Sequence, residues 1–558
     1  MHGGAIPLLL VVTAACICLV VYHHGHHRGS NPSSPGISQT LRPAAISGSV
    51  FINGTAHMAT TDEDFICATL DYGPPDVCHR DVCWGNATVF TLDLGNLVLF
   101  NAVNAFSPLV IRVGGTLQDR LVYQMEGDQG PCNPQTIDNS EFLGFSQGCL
   151  PMSRWDKLND FFKHAGAIVT FGLNALYGRT VESDGSATGP WDSTNSEALL
   201  RYTVNRGYTI HGWELGNELS GKGIGARITA AQYASDLQEL RFLVDEIYGG
   251  FDTKPLVLAP GGFFEEKWFE EFIHLTNRTL QVVTQHVYSL GAGAEDHLKD
   301  KILDPSYLNG IVGTFRAVQS ILNNSGSSAV AWVSEAGGAV NSGRHLVTDA
   351  FMSSFWYLDQ LATASMYDTK KFCRQTLIGG GYGLLNSSTF QPNPDYYSAL
   401  LWHRLMGSRV LSTNFTGTNE IRAYSHCSKN STGITMLLIN LDGNTTVQVD
   451  VMVEDISPSG TLVALQEGHS RKSKFASLSK GSIFETDVRE EYHLTAQDGD
   501  LSSQVALLNG QVLSVNSSGT IPPLDPKKES LLTPIAVTPF SIVFVRFPNL
   551  DVAACRQQ

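Results

Sequence analysis

Thr209-Ile-His-Gly-Trp-Glu-Leu-Gly-Asn-Glu218 begins with a short apolar run, Thr209–Leu215, and is followed by a loop and then by Ile228–Tyr248. The run has the length of a buried strand. The later stretch has a helical period: Ala234, Leu237, Leu240, Val244, Ile247 and Tyr248 fall on one face, and Thr229 with Gln232 makes a capping-box pattern at its start. Similar runs recur along the chain, at Phe65–Tyr72, Leu109–Val113, Ala167–Phe171, Leu256–Ala259, Leu280–Val287, Ala329–Val333 and Phe372–Ile378, with helical patterns between several of them. Strands buried on both faces by crossover helices read this way. Eight of them predict an α/β fold, a (β/α)8 TIM barrel; an open doubly wound sheet is the alternative.

The pattern changes near residue 410. Helical periodicity gives way to strand-like segments at Ile434–Leu441, Thr446–Val453, Thr461–Ala464, Gln504–Leu508, Gln511–Val515 and Ser541–Phe547. Asp442-Gly443 and Asn509-Gly510 each lie between two of them, and such pairs suit tight hairpins because they accept positive φ. The expected organisation is a leader over 1–28, a linker over 29–44, a strand within 45–60 that joins the C-terminal module, a catalytic barrel over 61–408 and an all-β sandwich over 409–558.

Composition narrows the function. The chain has 558 residues, 42% of them hydrophobic, enough for a sizeable core. Its net charge of −16 argues against nucleic acid as a partner and against sulfated polyanions in general. The basic runs Arg471–Lys474 and Lys527-Lys528 read as solvated loop charges. Ala5–Tyr22 is apolar and precedes a His- and Ser/Pro/Gly-rich stretch, which predicts entry to the secretory pathway. The run suits a cleaved signal or a retained anchor, so membrane association through this segment is one expectation and an extracellular, wall or vacuolar location the other. Nine glycosylation sequons, at Asn53, Asn86, Asn277, Asn323, Asn386, Asn414, Asn430, Asn444 and Asn516, agree with secretion. So do Cys67, Cys78, Cys83, Cys132, Cys149, Cys373, Cys427 and Cys555, an even number whose pairing the sequence leaves open.

Barrel chemistry sits at the C-terminal ends of the strands. Two acids lie there, Glu218 after the fourth expected strand and Glu335 after the seventh. Two facing carboxyls suit retaining glycoside hydrolysis, one as acid/base and the other as nucleophile, and Asn217 is placed to bond a sugar 2-hydroxyl. Glu214 lies within its strand and reads as part of a core network. Gly221–Ala226 fits a dinucleotide-loop pattern, but the expected second strand is replaced by a helix, so it reads as a βα loop. The sequence implies no metal and no cofactor.

Trp213-Glu-Leu-Gly-Asn-Glu218 and Trp332-Val-Ser-Glu335 resemble the acid/base and nucleophile segments of glycoside hydrolase family 79. Ile111–Thr116, Phe171–Leu176, His286-Val-Tyr288, Pro394–Tyr397 and Arg489–Thr495 also resemble that family, the last its plant branch of heparanase-like β-glucuronidases. The resemblance implies a retaining β-glucuronidase with Glu218 as acid/base and Glu335 as nucleophile. It implies that Asp71, Thr116, Asn174, Asn217, His286, Tyr288 and Gln375 line the sugar subsite. Gly381 and Tyr382 would bind the uronic acid carboxylate. The implied partner is a glucuronic-acid-containing glycan such as cell-wall arabinogalactan, or a small glucuronide. A glycan-binding wall protein without catalysis, and a retaining glycosidase for another sugar, are the alternatives. Animal family members are cut around an excised linker; here only Asp119–Leu150 follows the second strand, and a single chain is expected. The residues around Asn341 depart from the family's glycine run.

Overall fold

The computed structural model describes residues 45–79, 82–276, 278–454, 475–478 and 488–556. The expected leader and linker, the run Arg471–Lys474, the strand Thr461–Ala464 and the sequon at Asn277 lie outside them. Among the described residues no helix is long and apolar enough to cross a membrane.

Strand β1 (Ala45–Thr60) precedes a closed barrel of eight parallel strands: β2 (Ile66–Leu70), β3 (Val110–Val113), β4 (Ile168–Leu173), β5 (Gly212–Leu215), β6 (Leu256–Phe263), β7 (Val282–Val287), β8 (Val330–Ala336) and β9 (Thr369–Arg374). A helix follows each barrel strand: α1 (Leu97–Asn104), α2 (Met152–Ala165), α3 (Thr194–Asn205), α4 (Ala230–Ile247), α5 (Glu266–Leu275), α6 (Val312–Ser325), α7 (Ser353–Met366) and α8 (Pro394–Leu405). The barrel is therefore closed, and the doubly wound alternative is excluded. At the start of α4 the Thr229 side chain accepts from the Gln232 N–H at 3.3 Å.

Alternation explains the strand composition. Ile111 and Val113 of β3 pack outward against the helices, while Val110 joins Cys67, Cys373 and Ile168 inside the barrel. Cys67 and Cys373 are register partners on β2 and β9, and their disulfide joins the first barrel strand to the last. Strand β9 starts earlier than Phe372 and ends before Ile378. Lys371 is accommodated inside because its ammonium pairs with Asp62 at 3.0 Å and with Asp64, and lies 5.2 Å from the Trp332 ring.

Directly after α8 the chain enters the second layer. Strands β10 (Met406–Thr416), β11 (Ile421–Ser428), β12 (Ile434–Asn440), β13 (Thr446–Glu454), β14 (Phe475–Ser477), β15 (Val488–Ala496), β16 (Ala506–Leu508), β17 (Gln511–Val512), β18 (Lys527–Ser530), β19 (Ile535–Val537) and β20 (Ile542–Phe547) form with β1 one twelve-stranded sheet. Its path runs β14-β13-β1-β10-β11-β12-β20-β15-β16-β17. Strand β1 is parallel to β13 and antiparallel to β10. Asn509-Gly510 joins the paired strands β16 and β17. Asp442-Gly443 does not make the hairpin expected of it: β12 pairs with β11 and β20, while β13 pairs with β1. Asn440 instead ties this crossing together, donating to the carbonyls of Thr445, Val537 and Thr538.

The sheet is covered on both sides. Ile434, Met436 and Leu438 enter a core shared with Val50, Ile52 and Val449, whereas Leu437 and Ile439 face the barrel's apolar cluster. All of β12 is therefore buried. Helix α7 lies between the layers, and its fully buried Asp359 accepts from Arg422 Nε of β11 at 2.7 Å. All eight described cysteines are paired, as 67–373, 78–83, 132–149 and 427–555. Of the eight described sequon asparagines, Asn53 and Asn386 are half-buried and the others exposed.

Candidate active site

Glu335 faces the barrel interior because β8 carries a bulge. Val282, Thr284 and Gln285 of β7 pair with Val330, Trp332 and Val333, but His286 pairs with Glu335. Ser334 is the extra residue. Trp332 already points inward, so unbroken alternation would turn Glu335 out to the helices; one inserted residue reverses that parity.

Glu218 is aimed differently. It follows β5 in a tight turn and holds a left-handed φ of 55°. A non-glycine residue there is strained by about 1–3 kcal/mol. Its N–H donates to Gly261 O at 2.7 Å, and a Cβ on Gly262 would come within 3.2 Å of the Glu218 Cα. The bulged end of β6 thus presses glycine backbone against this turn.

A carboxylate oxygen of Glu218, one of Glu335 and a ring nitrogen of His286 all lie within 4.8 Å of one another. All three residues are buried. His286 Nδ1 bonds Glu218 Oε1 at 2.9 Å. Glu335 accepts from Tyr288 Oη at 2.6 Å and from Arg112 at 2.8 Å. Arg112 comes from the middle of β3 and occupies the barrel interior beneath the pair. Its other nitrogens donate to Glu214 at 2.6 Å and to Asn217 Oδ1 at 2.8 Å. Glu214 is thereby the core-network residue expected of it.

The electrostatics are asymmetric. Burial pushes the Glu218 carboxyl up to about 7, partly offset by Arg112. Glu335 is also raised by burial, with His286 and Arg112 opposing. Desolvation, and not the repulsion by Glu335 that an acid/base pair leads one to expect, raises Glu218. Burial lowers His286 to about 4, so its ring is neutral at ordinary pH. At Glu214 the Arg112 charge overcomes burial, and the carboxyl lies below its usual range. Two acids and a histidine are also a donor set for a metal. Here those donors are already engaged: His286 Nδ1 with Glu218, and both Glu335 oxygens with Tyr288 and Arg112.

The remaining expected residues divide into groups. Asp71 lies at the end of β2, where it accepts from Gln375 Nε2 at 2.8 Å. A Cβ on Gly115 would collide with that carboxylate, so Thr116 begins immediately beside it. Asn217, His286 and Tyr288 surround the two glutamates. Asn174 has its amide engaged, donating to Leu121 O of the preceding βα loop at 2.9 Å and accepting from the Leu176 N–H of its own loop at 2.8 Å. The Gly381 N–H, expected to face a carboxylate, is donated to Ser342 O at 2.7 Å. Tyr382 is buried, its ring against Gly337 and Gly343.

Two further residues escaped the sequence reading. Arg112 lies in the family-like stretch Ile111–Thr116, but as a charge interrupting an apolar run it suggests no role by itself. Asp119, also buried, accepts the backbone N–H groups of Ala175 at 2.7 Å and Asn217 at 2.8 Å, fixing the residue before Glu218.

A family model described as glycosyl hydrolase family 79, N-terminal domain, matches residues 47–362. The chain is 52% identical over 509 residues to heparanase-like protein 3 of Arabidopsis thaliana, covering 91% of this chain and 94% of that protein. It is 43% identical over 517 residues to baicalin-β-D-glucuronidase of Scutellaria baicalensis, covering 90% and 92%. A solved 4-O-α-L-rhamnosyl-β-D-glucuronidase from Fusarium oxysporum matches with a TM-score of 0.60 at 14% identity, over 89% of this chain and 99% of that one. At that identity the likeness is one of fold, and it agrees with the barrel and its C-terminal β layer.

Proposed function

We propose that this chain, which belongs to glycosyl hydrolase family 79, is a retaining β-glucuronidase with Glu218 as acid/base and Glu335 as nucleophile. The observation that carries the reading is the pair of buried carboxyls within 4.8 Å, bonded to unlike partners. That spacing suits a covalent glycosyl-enzyme and leaves too little room for the water that inversion needs.

Glu218 faces a neutral histidine, and burial keeps its proton near neutral pH. Arg112 and the Tyr288 hydroxyl favour the ionised form of Glu335 against the pull of burial. Glu218 donates its proton to the glycosidic oxygen while Glu335 attacks the anomeric carbon from the opposite face. Glu218 then takes a proton from water, which releases glucuronic acid with retained configuration. Asn217 Nδ2, buried and without a partner among the described residues, serves as donor to the sugar 2-hydroxyl.

The substrate is β-linked glucuronic acid on a glycan such as cell-wall arabinogalactan; the net charge of −16 disfavours a densely sulfated chain. The likeness to baicalin-β-D-glucuronidase favours a small glucuronide as the second reading. Disulfides and exposed sequons support a secreted, wall or vacuolar protein.

The test is hydrolysis of 4-nitrophenyl β-D-glucuronide against the β-D-glucoside by wild type, Glu335→Gln and Glu218→Gln. Turnover selective for the glucuronide and abolished in Glu335→Gln is expected. Turnover of the glucoside alone would assign another sugar. Binding of the glucuronide and of arabinogalactan without hydrolysis of either would leave a glycan-binding protein.

A further inference from the structure

Asn341, Ser342 and Gly343 follow Glu335 closely and hold three successive left-handed φ values, 59°, 65° and 70°. Two of the three carry side chains that this region disfavours, so neighbours must hold the turn. Two contacts do so at Ser342. Its carbonyl accepts the Gly381 N–H, and its hydroxyl accepts Trp84 Nε1–H at 3.0 Å. Trp84 and Ser342 are 5% and 4% exposed, so this bond is shielded from water.

Trp84 reaches this place from the loop after β2. The Cys78–Cys83 disulfide closes a small hairpin there, and the Trp84 N–H donates to Val77 O at 3.0 Å. The indole then lies against the backbone of Gly379, where a Cβ would approach within 2.7 Å. It meets the Tyr382 ring edge-on at 6.2 Å. Tyr382 in turn lies against Gly343 and against Gly337, two residues beyond Glu335. One side chain from the first βα loop therefore locks the seventh and eighth loops together beside the nucleophile.

We propose that Trp84 is a positioning residue for recognition of the glycone: through Ser342 and Tyr382 it holds in place the two loops that flank the nucleophile Glu335. The proposal rests on the glucuronidase reading. It differs from it in assigning glycone binding in part to a residue that acts through Ser342 and Tyr382.

The test uses Trp84→Phe, which keeps an aromatic ring and removes the N–H, and Ser342→Ala, which removes the acceptor. Each is expected to raise KM for 4-nitrophenyl β-D-glucuronide, and Ki for free glucuronic acid, about tenfold, as the loss of one shielded hydrogen bond predicts. The change in kcat should be less than threefold and the alkaline limb of the pH profile unmoved. The double variant should be no worse than either single one, because both break the same bond. A loss in kcat with KM and Ki unchanged, or losses that multiply in the double variant, would overturn the proposal while leaving the glucuronidase reading intact. A wild type that hydrolyses no glucuronide and binds no glucuronic acid would overturn both.

Discussion

Arg112 Nη1 donates to Glu335 Oε2 at 2.8 Å from below, inside the barrel, while the same guanidinium holds Glu214 at 2.6 Å. The arginine is 1% exposed and wholly compensated by these carboxylates and by Asn217. It orients the nucleophile and keeps it charged in a site where burial opposes charge.

Arg112→Met should therefore lower kcat on the glucuronide by about 100-fold or more, as loss of a buried charge-assisted bond implies. It should also destabilise the fold by about 3–5 kcal/mol, because Glu214 is left buried without its counter-ion. Steady-state kinetics and denaturant titration measure the two effects. Arg112→Lys should fall between, since an ammonium cannot reproduce the three-way fork.

The pH profile should be bell-shaped. Activity needs Glu218 protonated and Glu335 ionised. Burial raises Glu218 to about 7, so the alkaline limb should lie near there and the optimum on its acid side. In Glu218→Gln that limb should disappear for a substrate with a good leaving group, and added azide should restore turnover as the β-glucuronyl azide. A limb that survives in the variant would assign the titration to another group.

Tyr288→Phe removes the 2.6 Å bond to Glu335. A carboxylate that loses a donor is easier to protonate, so the acid limb should move to higher pH. kcat should fall about 10–100-fold, the range for one charge-assisted donor near a reacting group. An acid limb that stays in place would mean that Arg112 alone sets the charge of Glu335.

The bulge at Ser334 makes a prediction about geometry. A mechanism-based 2-deoxy-2-fluoro-glucuronyl fluoride should label wild type at Glu335, as read by peptide mass spectrometry. Deleting Ser334 restores plain alternation, and Glu335, then two steps from Trp332, still faces the barrel interior opposite His286. The deletion variant should retain the far-ultraviolet circular dichroism of the barrel and still acquire the label; loss of the label would mean that the bulge does more than set the side of the strand.

Removing the Cys67–Cys373 bridge, with both cysteines changed to alanine, should lower stability. The bridge spans a sequence separation of 306. In the chain-entropy description a loop of that length contributes about 5–6 kcal/mol by restricting the unfolded chain. A shift of the thermal midpoint measured with the other disulfides intact checks the value.

Much of the barrel was legible because parallel strands are apolar on both faces, and runs such as Leu280–Val287 announce themselves without reference to neighbours. The glutamates were legible because they stand at the ends of such runs. Arg112 was not: a charge within Val110–Val113 is sensible only once Glu214 and Glu335 are known to face it. The bulge was hidden too, since counting alternate residues from Trp332 turns Glu335 the wrong way. In the sheet, β10, β11 and β15 alternate buried side chains with Arg409, Arg422, Glu490 and other polar residues, so they lack the apolar runs that marked β12 and β20. Asp442-Gly443 has the composition of a hairpin, but only tertiary pairing decides whether the strands on either side are neighbours.

The disulfide between β2 and β9 also has a consequence for proteolysis. Every residue from Cys67 to Cys373, Glu218 and Glu335 included, belongs to a single covalent ring. A protease that cuts one exposed loop within that ring opens it without releasing a fragment. Such a nicked molecule would run at full mass on a gel until thiol is added, and both halves of its catalytic pair would remain tethered.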